Sequence, residues 1–283
     1  MTPNIWRQLK AKVTTKNFTF HQAISCAREL DNQSIGIYAG DHESYQVFSK
    51  IFDLIICDYH GVASSRKHKS DFNWTKIKGI INVKAPVTST RIRVGRNLEG
   101  ISLSPAISKR DRLEFETLMQ KVFSELKGEF RGTYLSLKEM NEEIKQKLIS
   151  DHILFMSGDE NMIVAGMERD WPEGRGVFVS EDRKFSVWVN EEDHLRIISM
   201  EKGSDLVTTF SRLAAGIESI GELIYNKTAG KSFQFDDQNG FIHSCPTNLG
   251  TGMRASVHIS LPGWSKKSTD DLKKEAKKLN LQV

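Results

Sequence analysis

Val177-Phe178-Val179, Phe185-Ser186-Val187-Trp188-Val189 and Leu195-Arg196-Ile197-Ile198-Ser199-Met200 are three short runs rich in β-branched and aromatic residues. Such runs read as strands. Only Glu181-Asp182 and their neighbours separate the first two, and only Asn190-Glu191-Glu192-Asp193-His194 separate the second and third. A parallel pairing needs a crossover of a dozen residues or more, so connections this short predict an antiparallel sheet.

Working outward, Ile153–Met156 and Asn161–Ala165 read as further strands before this core, with Ser157-Gly158-Asp159 as a turn between them. The spacing predicts a helix over Arg110 to Leu126 and another over Leu206 to Tyr225. Phe241–Ser244 and Met253–Leu261 read as strands, and Ser268 to Leu279 as a charged helix. In the last strand Met253, Ala255, Val257, Ile259 and Leu261 alternate as a buried face, which puts Arg254 on the other face. Before Gly61 the pattern is helical: Ile5-Trp6-Leu9, Phe20 to Leu30, and Tyr45, Phe48, Ile51, Phe52 and Ile55 at helical spacing. Val62 to Lys84 is polar and basic and reads as a crossing segment. The predicted class is α+β: a small helical domain over residues 1–61, a linker over 62–84, and an antiparallel-sheet domain flanked by helices over 85–283.

The 283 residues carry 40 Lys+Arg against 36 Asp+Glu, a net charge of +4. That excess is too thin and too dispersed for a nucleic-acid-binding surface. No apolar run approaches the roughly 20 residues of a membrane helix. Cys26, Cys57 and Cys245 make an odd count without a C-x-x-C pair, which predicts free thiols in a reducing compartment. The cytoplasm is the default expectation, with mitochondrion and cilium compatible. The first 28 residues lack an acid but carry Arg7, Lys10, Lys12, Lys16 and Arg28. An amphipathic helix and a polar turn account for them better than a targeting signal does.

Gly230-Lys231-Ser232 imitates the end of a phosphate-binding loop. The first glycine of that motif would fall at Tyr225, and Phe233-Gln234-Phe235-Asp236-Asp237 does not begin a helix. The motif needs a strand before it and a helix after it, so it is rejected.

Arginines offer a better lead. Ser89-Thr90-Arg91-Ile92-Arg93-Val94-Gly95-Arg96 sets Arg91 and Arg93 two residues apart, on one face of a strand. Arg196 and Arg254 sit on other strands, so a rigid sheet presents several planar, permanently charged groups suited to phosphate oxygens. Taken singly these features are ordinary: strand arginines are commonly solvated, an acidic run is commonly an exposed turn, and a lone cysteine is commonly a small packed hydrophobe.

Taken together they resemble one family. Cys245-Pro246-Thr247-Asn248-Leu249-Gly250-Thr251, Asn190–Arg196, Ser89–Arg96 and Arg169-Asp170-Trp171-Pro172-Glu173-Gly174-Arg175-Gly176 are similar, in order and spacing, to the signatures of the phosphagen kinases. The resemblance implies a sheet domain like that of glutamine synthetase and reversible transfer of the ATP γ-phosphoryl group to a guanidino nitrogen. It implies ATP/ADP and Mg2+ as cofactors, with Arg91, Arg93, Arg196 and Arg254 clamping the phosphates and His152 packing on the adenine or ribose. Glu192 would orient the guanidinium and take its proton. Cys245 would stand beside it as a thiolate, favoured by Thr247 and the cationic substrate. Glu191 and Asp193 would hold Mg2+ through water. Substrate choice would fall to the loop Gln33–Asp41, where Ile35 and Tyr38 face the small guanidino substrate. Its compactness and Tyr38 favour arginine, with taurocyamine or a similar guanidine left open. In relatives the segment resembling Leu279–Val283 leads into a strand and mobile loop with a further arginine and glutamate. The expectation for a chain ending at Val283 is impaired turnover, or a structural or nucleotide-binding subunit whose open sheet edge a protein partner covers by adding a strand.

Overall fold

A computed structural model describes residues 2–31, 35–77, 86–264, 268–279 and 281. Gln33 and Ser34 of the expected specificity loop, and most of the later half of the expected linker, lie outside them.

The chain opens with short helices: α1 (Pro3–Leu9), α2 (Phe20–Ala23), α3 (Ser25–Glu29), α4 (Ser44–Val47) and α5 (Ser49–His60). The sequence predicts one helix over Phe20 to Leu30, but it breaks at Ile24. The cause is local. Ala23 O accepts from Tyr38 N and Ala27 N donates to Gly36 O, so the loop after Gly36 takes over a pair of groups that would bond each other in a continuous helix.

The larger part follows as β1 (Val87–Arg96), α6 (Lys109–Phe123), β2 (Gly132–Ser136), α7 (Glu142–Ser150) and α8 (Glu160–Val164). Next come β3 (Gly176–Ser180), β4 (Phe185–Val189), β5 (Leu195–Lys202), α9 (Leu206–Lys227), β6 (Phe235–Asp236), β7 (Gly240–Phe241), β8 (Met253–Ile259) and α10 (Thr269–Lys278). The main sheet runs in the order β2-β3-β4-β5-β1-β8, and its neighbouring strands pair antiparallel. The α+β class is the one read from the sequence.

α9 begins on Asp205, whose carboxylate accepts from Thr208 N. Its residues Phe210, Leu213, Gly216, Ile220 and Ile224 form one buried stripe. With α6 it covers Ile92, Val94, Val187, Leu195 and Ile197. Each fully buried large apolar side chain contributes about 1.5–3 kcal/mol to this layer. Among the described residues the opposite face is covered over β2 to β5, where Leu148, Ile153, Leu154 and Phe155 pack with Leu135, Val177, Val179, Trp188 and Ile198. The same face of β1 and β8 lies beyond that cover.

Several expectations fail here for physical reasons. Asn161–Ala165 falls in and beside a helix, because Asp159 caps it by accepting from Met162 N. Ile153–Met156 is irregular: Ile153 O receives Trp188 Nε1, so the segment serves as a lid of apolar side chains. Of Phe241–Ser244 only Phe241 is in a strand. The alternating face of β8 is not buried: Met253, Val257 and Ile259 are 42, 41 and 43 % exposed, because β8 ends the sheet among the described residues and α9 lies chiefly on β5 and β1.

The core of the helical N-terminal part is shared with the sheet part. Leu9, Phe20, Phe48, Phe52 and Ile56 share one cluster with Leu103, Ile242 and Leu249. Hydrogen bonds cross the same seam, from Tyr45 Oη to His243 O at 2.7 Å and from Ala39 N to Ser244 O at 2.8 Å. The segment leading into Cys245 is therefore seated directly on the small domain. Among the described residues no helix is long and apolar enough to cross a membrane.

Candidate active site

Strand register builds the basic face. Arg93 pairs with Arg254, Arg91 with Ser256, and Gly95 with Arg196. Paired residues of antiparallel strands point to the same side, so Arg91, Arg93, Arg196 and Arg254 share one face. Trp188, opposite Arg196 on β4, lies under two of them, 5.5 Å from Arg91 Cζ and 5.9 Å from Arg196 Cζ. Like charges placed directly opposite destabilise a strand pair. Burial, followed by the nearby arginines, pushes Arg93 down to about 10, which leaves it cationic at neutral pH. A face of this kind is stabilised by an anion.

Two cavities open on it. One of about 470 Å³ is lined by Arg93, Gly95, Asp193, Arg196, Thr247, Asn248 and Arg254, with Tyr59 and His60 from α5. The other, about 230 Å³, is lined by Arg91, Arg93, Arg254, Ser256 and His258. The larger lies in the range of small-ligand sites.

The acidic turn sits at the head of β5. Asn190 takes φ of 57° and its N–H bonds His194 O, closing the turn. His194 accepts from Leu98 N through Nδ1 and donates from Nε2 to Ser102 O. Burial drives His194 down to about 4, so it is neutral. Glu191 receives Arg196 Nε at 3.1 Å, and Glu192 receives Arg196 Nη2 at 2.5 Å. Asn248 Nδ2 also donates to Glu192, at 3.3 Å. Burial raises the Glu192 carboxyl to about 7, although Arg196 opposes the shift.

Cys245 Sγ lies 3.0 Å from Thr247 Oγ1. Burial and the Glu192 carboxylate push the thiol up to about 12. The thiolate expected from the sequence is thus not the form this surrounding favours at neutral pH; it requires a cation beside Sγ. Tyr38 is half-buried, and its hydroxyl is raised by burial, followed by Cys245 and Glu192. Ile35 packs on the small-domain cluster. His152 is exposed after α7, with φ of 55°, and lines neither cavity.

Asp193 borders the larger cavity, but its carboxylate is turned to protein donors. Its Oδ1 accepts from Asn97 Nδ2 at 2.7 Å and from Ser244 N at 3.1 Å, and its Oδ2 meets His243 Nδ1 at 2.9 Å. A fully buried carboxylate committed to three protein donors does not fit a role in holding water on a metal. Among the described residues no group of three or more His, Cys, Asp or Glu is arranged to ligate a metal ion. Mg2+ ordinarily keeps several waters and binds through substrate phosphates, a mode that asks little of the protein. Glu191 lines neither cavity and is paired with Arg196.

The sequence reading missed Tyr59, His60, Asn248, Ser256 and His258. Alternation along β8 already put Arg254, Ser256 and His258 on one face, a signal that was available.

The arrangement is that of an anion clamp facing a buried acid and a thiol. Residues 1–57 match the family described as "ATP:guanido phosphotransferase, N-terminal domain", and residues 114–283 match "ATP:guanido phosphotransferase, C-terminal catalytic domain". An arginine kinase of Anthopleura japonica is 43 % identical over 265 residues, 93 % of this chain and 36 % of that protein. Creatine kinase M-type of Gallus gallus is 41 % identical over 271 residues, 93 % of this chain and 70 % of that protein. The crystal structure of a lombricine kinase superposes with a TM-score of 0.89 at 33 % identity, covering 98 % of this chain and 76 % of that one. The chain belongs to the ATP:guanido phosphotransferase family. It spans about a third of the Anthopleura protein's length and about seven tenths of the creatine kinase's.

Proposed function

We propose that the chain transfers the γ-phosphoryl group of Mg-ATP to a guanidino nitrogen, with arginine as the favoured acceptor. The observation that carries this reading is the register that sets Arg93 against Arg254, with Arg91 and Arg196 on the same face, opposite the Glu192–Cys245 pair. The four arginines hold the phosphates and neutralise charge on the phosphoryl oxygens, which is most of what such a transfer requires. Glu192 orients the guanidinium and accepts its proton while the N–P bond forms and the bond to ADP breaks. Cys245 lies on the other side of the guanidinium, which stabilises its thiolate. Mg2+ supplies further charge neutralisation on the phosphates, and Glu191 orients its water. His152 is assigned to the adenine or ribose on the resemblance alone. The compactness of the loop Gln33–Asp41 in the sequence and the presence of Tyr38 in it support arginine over a bulkier guanidine. Three free cysteines accord with the cytoplasm.

The base must be ionised. Because burial raises Glu192 to about 7 in the unliganded protein, phosphorylation of the guanidine is expected to fall as pH drops through about 7, and kcat/KM, which reports the free enzyme, is expected to show that acid limb. A coupled ADP-release assay with arginine, taurocyamine and creatine tests the reading. Turnover with one guanidine supports it; folded protein that binds ATP and turns over none of them defeats it. That second outcome favours a structural or nucleotide-binding subunit, a reading supported by the exposed apolar residues of β8, to which a protein partner would add a strand.

A further inference from the structure

His243 takes no part in the transfer, yet its imidazole and the Asp193 carboxylate are both 0 % exposed and 2.9 Å apart. The ring fills a slot between two strands. A Cβ on Gly95 would stand 2.5 Å from its Cε1, and a Cβ on Gly252 would stand 2.4 Å from its Nε2. Only glycine at both positions admits the imidazole. Among the described residues its Nε2 has no hydrogen-bond partner, and the ring's one polar contact is the one to Asp193.

That contact ties together the two segments that matter. Asp193 directly follows Glu192, and His243 and Ser244 directly precede Cys245. Asp193 accepts from the His243 ring and from Ser244 N, while Ser244 Oγ donates to Glu192 O at 2.9 Å. Asn97 holds the remaining side of the carboxylate and also donates to Ile242 O at 2.9 Å. Small-domain contacts hold the outer side of the same segment, through Tyr45 to His243 O and His60 to Pro246 O. Two chain segments far apart in sequence are thereby fixed to each other at one buried carboxylate.

We propose that His243 is a positioning residue: it commits Asp193 to the interior, and through it fixes Cys245 against Glu192. The catalytic meaning of that placement rests on the proposed function, but the placement itself can be read without turnover. The probe is iodoacetamide. The alkylation rate of Cys245 in the whole chain is followed by mass spectrometry of its peptide, which separates it from Cys26 and Cys57. His243→Leu removes the donor and is expected to raise the rate about tenfold, the scale of one lost hydrogen bond to a charged group. His243→Asn places an amide N–H near the Nδ1 position and is expected to return within about twofold of the parent. His243→Gln carries its N–H one atom farther out and is expected to behave like His243→Leu, which keeps the test decisive if the leucine variant does not fold.

Nucleotide affinity is expected to be unchanged in all three, because the arginine face is untouched. Where turnover is measurable, kcat falls in the leucine and glutamine variants while KM for ATP holds. Equal alkylation rates for His243→Asn and His243→Gln, or a parental rate in a folded but less stable His243→Leu, overturn the proposal and leave the pair a packing feature. Absence of turnover in every variant would count against the proposed function alone.

Discussion

Glu192→Gln is expected to lower guanidino phosphorylation by about 10³-fold, within the 10²–10⁴ that a positioned base contributes. The substitution keeps the side chain's shape and its contact with Asn248 Nδ2, and it removes only the charge and the proton acceptor. Nucleotide affinity is expected to stay within a few-fold, since Arg91, Arg93 and Arg254 make no hydrogen bond to Glu192. Stability moves the other way. The folded-state carboxyl is raised above its ordinary value by burial, so the ionised form opposes folding as pH rises from the ordinary carboxylate range through about 7. Replacing it with a neutral amide relieves that cost above pH 7 and offsets the lost charge attraction to Arg196, which keeps its contact with Glu191. The expected result is a dead or nearly dead variant whose Tm at pH 8 is no lower than the parent's. ADP release together with a thermal melt checks both halves, and parental turnover in the folded variant would remove Glu192 from the mechanism.

The fold was legible wherever the pattern was local and strong. The β3–β4–β5 meander could be read because apolar runs and short turns leave one way to pair them. The arginine face could be read because alternation on β1 and β8 does not depend on what the strands pair with. What escaped was set by distant partners. The break between α2 and α3 comes from the loop at Gly36–Tyr38 taking the backbone groups of Ala23 and Ala27, and nothing in the helix's own sequence announces it. The alternation of β8 was read as burial, but burial depends on what lies over the strand. Asp193 was assigned by its place in a motif; its real partners, Asn97, His243 and Ser244, come from two other segments. The thiolate expected of Cys245 rests on Thr247 and on a cationic substrate together; without the cation, burial and Glu192 push the thiol up. Nor does the sequence announce that the core of the helices before Gly61 is shared with Leu103, Ile242 and Leu249, which lie far along the chain.

Arg196 and Arg254 share a face and a proposed ligand, yet their removal should have opposite effects on stability. Arg196 is 9 % exposed and pairs with Glu191 and Glu192, themselves 14 and 19 % exposed. Arg196→Met leaves two adjacent, largely buried carboxylates without their counter-charge, and loss of one partner of a buried pair costs about 3–5 kcal/mol. At a few degrees per kcal/mol for a chain of this size, Tm should fall by roughly 6–15 °C. The loss should shrink as pH falls, because Glu192 then keeps its proton in the folded state, and it should be largest above pH 7. Glu191→Gln/Glu192→Gln/Arg196→Met, which removes the charges together, should recover most of the stability and none of the activity. Arg254, by contrast, is exposed and stands opposite Arg93 in the β1–β8 ladder. Arg254→Ala relieves a like-charge pair, so the unliganded protein should be as stable as the parent or slightly more so, by up to about 1 kcal/mol. Its cost should appear only with nucleotide: weaker ATP binding, and less thermal stabilisation by a fixed ATP concentration, in proportion to the affinity lost. Melting curves for the two variants with and without ATP separate the arginine that holds the site together from the one held ready for the ligand. A large loss of unliganded stability in Arg254→Ala would mean that the arginine face is built for structure rather than for an anion.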